Sequence, residues 1–272
     1  MMVQGGSRSV SPRPDMIVPQ WAAPDNVGAL FTTRSGGVSG GRWSGAGGAG
    51  GLNLGGNCGD EPQRVARNRA LLAAQLALPV SWLVQVHGAR VVVIRAAPVA
   101  GHSAASAAPE NADAQVTTLP GIALGVLVAD CLPVMLSDRN GSIVGVAHAG
   151  WRGLAAGVLE NTVRVMRNLR PEADLVAWLG PCIGPSAFEV GDDVLQAFVR
   201  DHPGAAAHFK PGRQAGKWWA DLGALAADRL ARAGVSSVAA LGVCTVTDRD
   251  RFWSYRRDGV CGRMAGLVWL HR

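Results

Sequence analysis

The chain is poor in the residues that would tie it to nucleic acid or membrane. It has one Tyr and five Phe in 272 residues, and no dense lysine run or basic stripe interleaved with aromatics. A platform for stacking nucleobases is therefore poorly supplied, and no nucleic-acid partner is expected. No run of about 18 apolar residues occurs, which leaves no candidate membrane span. Its five cysteines, Cys58, Cys131, Cys182, Cys244 and Cys261, are odd in number and include no CxxC pair. That argues against a disulfide framework and against a structural zinc ribbon, and it suits a reducing cytoplasm. Charged residues make up only 17% while glycines number 36. Tight turns and closely packed strands are expected rather than long solvated helices. Residues 1–15, MMVQGGSRSVSPRPD, lack the apolar stretch of a signal peptide and read as a disordered leader.

What is present suggests one mixed α/β domain over residues 16–272. GALFTTR, 28–34, reads as a strand entering the turn SGGVSGG, and GGRWSGAGGAGG, 40–51, as a glycine-dense loop. Pro62 and the apolar spacing over 61–78 predict a helix. Two short strands are expected in 81–95, a small-residue loop at 99–111, and strands at 113–118, 122–129 and 133–137. Asn140-Gly141 predicts a hairpin into a strand over 142–148, followed by a helix from 153 to 169. Further elements are a strand at 175–180, helices at 192–201 and 219–233, a strand running to Cys244, and a last strand at 264–270.

Several of these apolar strands end in a reactive side chain: LVQV at His87, GVLVAD at Cys131, IVGVA at His148 and LVAWLG near Cys182. Strand ends and the loops after them are where α/β proteins gather functional groups. The gaps between His87, Cys131 and His148 are too long for a zinc finger, whose ligands come in close pairs. They suit three ligands converging from separate strands with a fourth position open. A Cys/His/His set is soft enough for Zn²⁺ or copper and too soft for Mg²⁺. Spacing alone leaves two other readings open. Each residue can be an ordinary core Cys or hydrogen-bonded His. Alternatively Cys131 is a thiolate nucleophile activated by His148, with Asp130 or another carboxylate orienting the imidazole.

Substrate groups are expected nearby. Trp151 and Arg152 stand in HAGWRG at the start of a helix, where free N–H groups and a guanidinium favour an anion. Arg34 borders a glycine-rich turn, and SYRRDG supplies Tyr255, Arg256 and Arg257, with Arg263 in CGR just beyond. Each of these arginines can equally be a solvated or structural residue. The 26 Lys and Arg against 20 Asp and Glu, a net charge of +6, fit an anionic small substrate or simple solubility.

The segments FTTRSGGVS, LNLG, QVHGA, DAQVTT, ADCLPV, HAGWRG, GPCIGPSAFEVG and FWSYRRDGVCGR occur in this order. Together they resemble the YfiH-like "laccase-domain" family, also called purine nucleoside phosphorylases or polyphenol oxidases. The resemblance implies a four-layer α/β/β/α sandwich with mixed sheets, similar to deamidase toxins that use a Cys-His pair. It implies that His87, Cys131 and His148 form a metal triad carrying zinc or copper. It also implies phosphorolysis of adenosine, inosine and methylthioadenosine, together with adenosine deamination. Deamination suits such a site, because zinc lowers the pKa of a water that can attack purine C6. Phosphorolysis needs a phosphate held against ribose C1′, for which Arg34 and Arg152 are the candidates. A rival implication is an amide hydrolase that edits muramyl-peptide cell-wall precursors. A copper phenol oxidase fits poorly, because several coppers need many His ligands and the chain has six in all. The insertion RWSGAGGAGG, 42–51, departs from the family pattern and is expected to reshape the pocket rim. Oligomeric state stays open, with a monomer compatible.

Overall fold

The computed structural model describes residues 13–96 and 110–272. Residues 1–12 of the expected leader and most of the expected loop at 99–111 lie outside these.

Alternation along the strands builds the layers. In the strand Met264–Leu270, Met264, Val268 and Leu270 point into one apolar cluster, and Ala265, Leu267 and Trp269 into another. Ala123–Val128 divides in the same way, with Leu124, Val126 and Val128 on one face and Ala123 and Leu127 on the other. Both faces of these strands are buried, which is why they read as almost unbroken apolar runs. They belong to a five-stranded sheet ordered Met16–Ile17, Val27–Thr32, Met264–Leu270, Ala123–Val128, Val80–Ser81.

A six-stranded sheet lies against it. Its order is Ser237–Ala240, Leu175–Leu179, Leu132–Asp138, Val144–Ala149, Ala114–Thr117, Val91–Val93. Met135, Val144, Val146 and Trp178 face the five-stranded sheet, while Val134, Leu136, Ala147, Ala177 and Leu179 face outward. The helices Val158–Leu169, Asp192–Val199 and Leu222–Arg232 cover that outward face. The helix Pro62–Leu76 covers the far side of the five-stranded sheet through Leu72 and Leu76. The result is the expected α/β/β/α sandwich in one domain. A small third sheet, Glu189–Gly191, Phe209–Pro211 and Lys217–Ala220, flanks the helical side.

Several expected boundaries shift. The helix expected over 153–169 is two, Trp151–Ala155 and Val158–Leu169, because Gly157 takes φ +88° between them. The helix expected at 219–233 begins at Leu222, where the Asp221 carboxylate accepts the Ala224 N–H at 2.9 Å. The tryptophans before it form the strand Lys217–Ala220 instead. The strand expected to reach Cys244 ends at Ala240. SGGVS, expected as a turn, is the strand Ser35–Ser39. The Asn140-Gly141 hairpin forms as expected, with Gly141 at φ +61°.

Candidate active site and metal centre

His148 lies near the end of the strand Val144–Ala149, and Cys131 immediately precedes the strand Leu132–Asp138, which pairs with it. His87 does not end a strand as expected. It sits on a loop between Val80–Ser81 and Val91–Val93, at φ +60°, a region that non-glycine residues enter only when held there.

The residue that holds it is Asp113, which is fully buried. One of its carboxylate oxygens, Oδ1, accepts the His87 backbone N–H at 2.9 Å. The other, Oδ2, accepts those of Val86 at 3.1 Å and Gly88 at 2.7 Å. The same carboxylate meets Nδ1 of His148 at 2.8 Å, and its backbone carbonyl accepts the His148 N–H at 2.7 Å. One residue thus positions two of the three candidate ligands. Hydrogen bonds to a charged partner contribute about 1.5–3 kcal/mol each, enough to offset the strain at His87.

Cys131 has its own anchor. Asp130, also at positive φ (+88°), accepts hydroxyl hydrogens from Thr245 at 2.6 Å and Ser254 at 3.0 Å, and the Arg256 N–H at 2.6 Å. Its carbonyl accepts the Ile183 N–H at 2.9 Å. The carboxylate orienting the imidazole is therefore Asp113, and Asp130 fixes the turn that presents the thiol.

The three ligand atoms lie within 4.8 Å of one another, with Cys131 Sγ 3.9 Å from His87 Nε2. Gly150 makes room for them. A Cβ there would stand 3.0 Å from both Cys131 Sγ and His87 Cδ2. Burial pushes the Cys131 thiol up, but the His148 and His87 imidazoles outweigh it and bring the pKa down to about 6. Burial pulls His148 down, and the Cys131 thiolate and Asp113 outweigh it and raise it to about 9. Without a metal the pair is a thiolate and an imidazolium. The donor set fits a metal: a thiolate, two imidazoles, and a carboxylate that takes Nδ1 of His148 and leaves Nε2 to ligate. Among the described residues this is the one such group, which matches a single metal rather than several coppers.

The triad opens into a cleft of about 760 Å³. Trp151 lines it as expected, together with Trp82, Phe188 and Tyr255. Of the expected arginines, Arg256 lines it, as does Tyr255 from the same segment, and so does Arg263, while Arg34, Arg152 and Arg257 do not. Arg34 spends its guanidinium on the carbonyls of Ser44 and Arg249 and lies over the Trp253 ring. Arg257 donates to the carbonyls of Thr245, Val246 and Phe252 and pairs with Asp258. Arg152 is exposed, its guanidinium 4.4 Å from the centre of the Trp151 ring. The arginines that do line the cleft are Arg69, Arg256 and Arg263. Residues 42–51 stand behind the wall instead of on the rim, with the Trp43 indole N–H donating to the Cys58 carbonyl at 3.3 Å. Cys182 is buried and outside the ligand group, and all five cysteines are free. Asp113 was legible only as the first residue of DAQVTT, and nothing in that segment marks it as buried.

Fold and site together define a four-layer α/β/β/α protein with a candidate three-ligand centre lining an open cleft. The family described as multi-copper polyphenol oxidoreductase laccase matches residues 28–271, and the chain belongs to it. A purine nucleoside phosphorylase of Pseudomonas aeruginosa is 46% identical over 254 residues, covering 93% of this chain and 98% of that protein. The purine nucleoside phosphorylase YfiH of Escherichia coli is 45% identical over 258 residues, covering 94% and 98%. The crystal structure of a Neisseria meningitidis protein, NMB0706, superposes with a TM-score of 0.84 at 45% identity, covering 94% and 99%. YlmD of Geobacillus stearothermophilus superposes with a TM-score of 0.82 at 30% identity, covering 95% and 100%. No helix among the described residues is long and apolar enough to cross a membrane.

Proposed function

We propose that this chain is a metal-dependent purine nucleoside phosphorylase that accepts adenosine, inosine and methylthioadenosine, with adenosine deamination as a second activity. The observation that carries the reading is the Cys131–His87–His148 centre lining a cleft large enough for a nucleoside and a small co-substrate. His87, Cys131 and His148 would hold the metal, zinc by preference and copper as the alternative. When bound, the metal supplies Lewis-acid polarisation and a lowered water pKa. The protein's part is to bind and orient. Asp113 fixes the tautomer and direction of His148. Trp82 and Trp151 offer aromatic faces for a purine. The five free cysteines suit a reducing cytoplasm.

The test is purified protein with one equivalent of zinc, inosine and inorganic phosphate, with hypoxanthine and ribose 1-phosphate measured as products. Both should appear in equal amounts and disappear on chelation. Release of base without sugar phosphate, or no release at all, would sink the reading.

A second reading has its own observation. Cys131 Sγ and a ring nitrogen of His148 lie within 4.8 Å, and His148 Nδ1 meets Asp113 at 2.8 Å, a thiol–imidazole–carboxylate series of the kind nucleophilic catalysis uses. It fits amide hydrolysis, such as editing of muramyl-peptide precursors. Activity retained by metal-free protein and abolished by thiol alkylation would favour it.

A further inference from the structure

Eight arginines have a carboxylate to answer their charge: Arg64, Arg90, Arg139, Arg200, Arg229, Arg232, Arg251 and Arg257. Arg69 and Arg263 do not, among the described residues, although both are half-buried in the cleft wall. Arg69, on the helix Pro62–Leu76, donates Nε–H to the Leu54 carbonyl at 2.9 Å and lies 5.1 Å from the Trp82 ring centre. Its two terminal nitrogens have no hydrogen-bond partner among the described residues. Arg263 donates Nη1 to the carbonyls of Cys261 at 2.8 Å and Gly262 at 3.1 Å, leaving Nε and Nη2 without one. Its stem lies on Gly55, where a Cβ would stand 2.6 Å from Arg263 Cγ. Gly55, Gly56 and Asn57 complete this side of the cleft.

Each guanidinium is thus braced by backbone carbonyls and keeps N–H groups to spare. Two such cations lining one cleft, neither paired with a carboxylate among the described residues, make a receptor for a small oxyanion. We propose that Arg69 and Arg263 form the phosphate subsite of this enzyme, on the wall beside Gly55–Asn57. This rests on the phosphorylase reading. In that reaction an oxygen of hydrogen phosphate forms a bond to ribose C1′ as the C1′–N9 bond breaks. The electron pair of that bond leaves with the purine, and the proton carried by the phosphate ends on it. The products are the free base and ribose 1-phosphate. The two guanidinium groups position the attacking anion, and Asn57 is in reach of the same wall.

The test uses the zinc-loaded protein and two charge-removing variants, Arg69→Gln and Arg263→Gln. Arg200→Gln, which removes the same charge from an exposed site, is the control. Melting temperature and zinc content verify that the variants fold and load. With inosine saturating, KM for phosphate should rise about tenfold or more in each variant, since a charge-assisted hydrogen bond is lost. KM for inosine should rise less than KM for phosphate, because each guanidinium touches the anion while only the Trp82 ring beside Arg69 is shared with the purine. An unchanged KM for phosphate, or a rise confined to KM for inosine, overturns the subsite. If the wild type turns over no nucleoside, the phosphorylase reading fails by itself. Calorimetric titration with inorganic phosphate then decides the subsite: wild type and control bind phosphate and both variants lose it, or all bind alike and the proposal is wrong.

Discussion

Cys131, His87 and His148 stand on one wall of the cleft, where Asp113 and Asp130 satisfy the polar groups around them. Arg69 and Arg263 stand on the other wall with N–H groups unspent. The first wall is preorganised at a cost: two non-glycine residues, His87 and Asp130, are held at positive φ by converging hydrogen bonds. The second wall carries no such strain and is stiffened only by carbonyl contacts. Strain and full satisfaction mark the place where geometry must be fixed before a ligand arrives. Unpaired charge marks the place where the ligand itself completes the structure.

The sharpest way to break this contrast is to remove a ligand from the first wall. Cys131→Ala should lose the metal and lower turnover by about a thousandfold or more, with the fold retained. Zinc analysis beside a circular dichroism melt checks it, and a variant that keeps both zinc and activity would show that the wall is not a metal centre.

Next in size is Asp113→Asn. The amide keeps the volume but cannot accept three backbone N–H groups and an imidazole proton as a carboxylate does. Metal affinity should weaken by about 10- to 100-fold. Stability should fall by about 1–3 kcal/mol, because a buried network is left partly unsatisfied. Competition with a colorimetric chelator and a denaturant titration read the two effects separately. If Asp130→Asn weakens zinc more than Asp113→Asn does, the positioning roles of the two aspartates are reversed.

A pH series sharpens the same wall. Cys131 moves from 9.0 to about 6 and His148 from 6.5 to about 9. Taken singly, the depressed thiol adds stability that is lost as pH falls toward 6, and the raised imidazole adds stability that is lost as pH rises toward 9. In the metal-free folded chain between these values the pair holds one proton, on His148. The unfolded chain between pH 6.5 and 9 also holds one, on Cys131. The two slopes cancel, so this pair should leave metal-free stability nearly flat with pH across that window. Metal binding expels the single proton, so zinc affinity should rise about tenfold per pH unit there. Thiolate absorbance in metal-free protein should titrate near pH 6, and a midpoint near the ordinary thiol value would remove the ion pair.

The smallest effects belong to the arginines outside the cleft. Arg34→Gln should cost about 1–3 kcal/mol of stability through three lost carbonyl contacts and leave both KM values unchanged. Arg152→Ala should change turnover by less than about twofold, since an exposed guanidinium on an aromatic face contributes little. A tenfold rise in KM for phosphate from Arg152→Ala would move the anion to the other wall.

The layers were legible because strands buried on both faces leave apolar runs such as IALGVLV, and the ligands because each stands beside a strand or tight turn. The expected spans around Gly157 and Asp221 failed where one residue's backbone angle or cap outweighed a helical pattern. SYRRDG and CGR pointed to Arg256 and Arg263, but Arg69 was unreadable for a different reason. Arg34, Arg152 and Arg257 sit beside conspicuous glycine and aromatic motifs, while Arg69 sits in an ordinary amphipathic helix. Which guanidinium is spent and which is spare depends on carbonyls such as those of Ser44 and Leu54, and no local pattern encodes that. Asp113 was hidden likewise, because its importance comes from three N–H groups about 25 residues earlier.

The grip of Asp113 has a consequence for metal supply. A site braced by backbone hydrogen bonds does not need its ion in order to fold, so loading is an exchange between a standing socket and the ions around it. Three protein ligands with the fourth direction open impose little geometric filter. On the proposed reading, the ion carried would then follow affinity and local abundance rather than the socket's own geometry. Protein from two growth media of different metal content would then carry different ions at the same three residues.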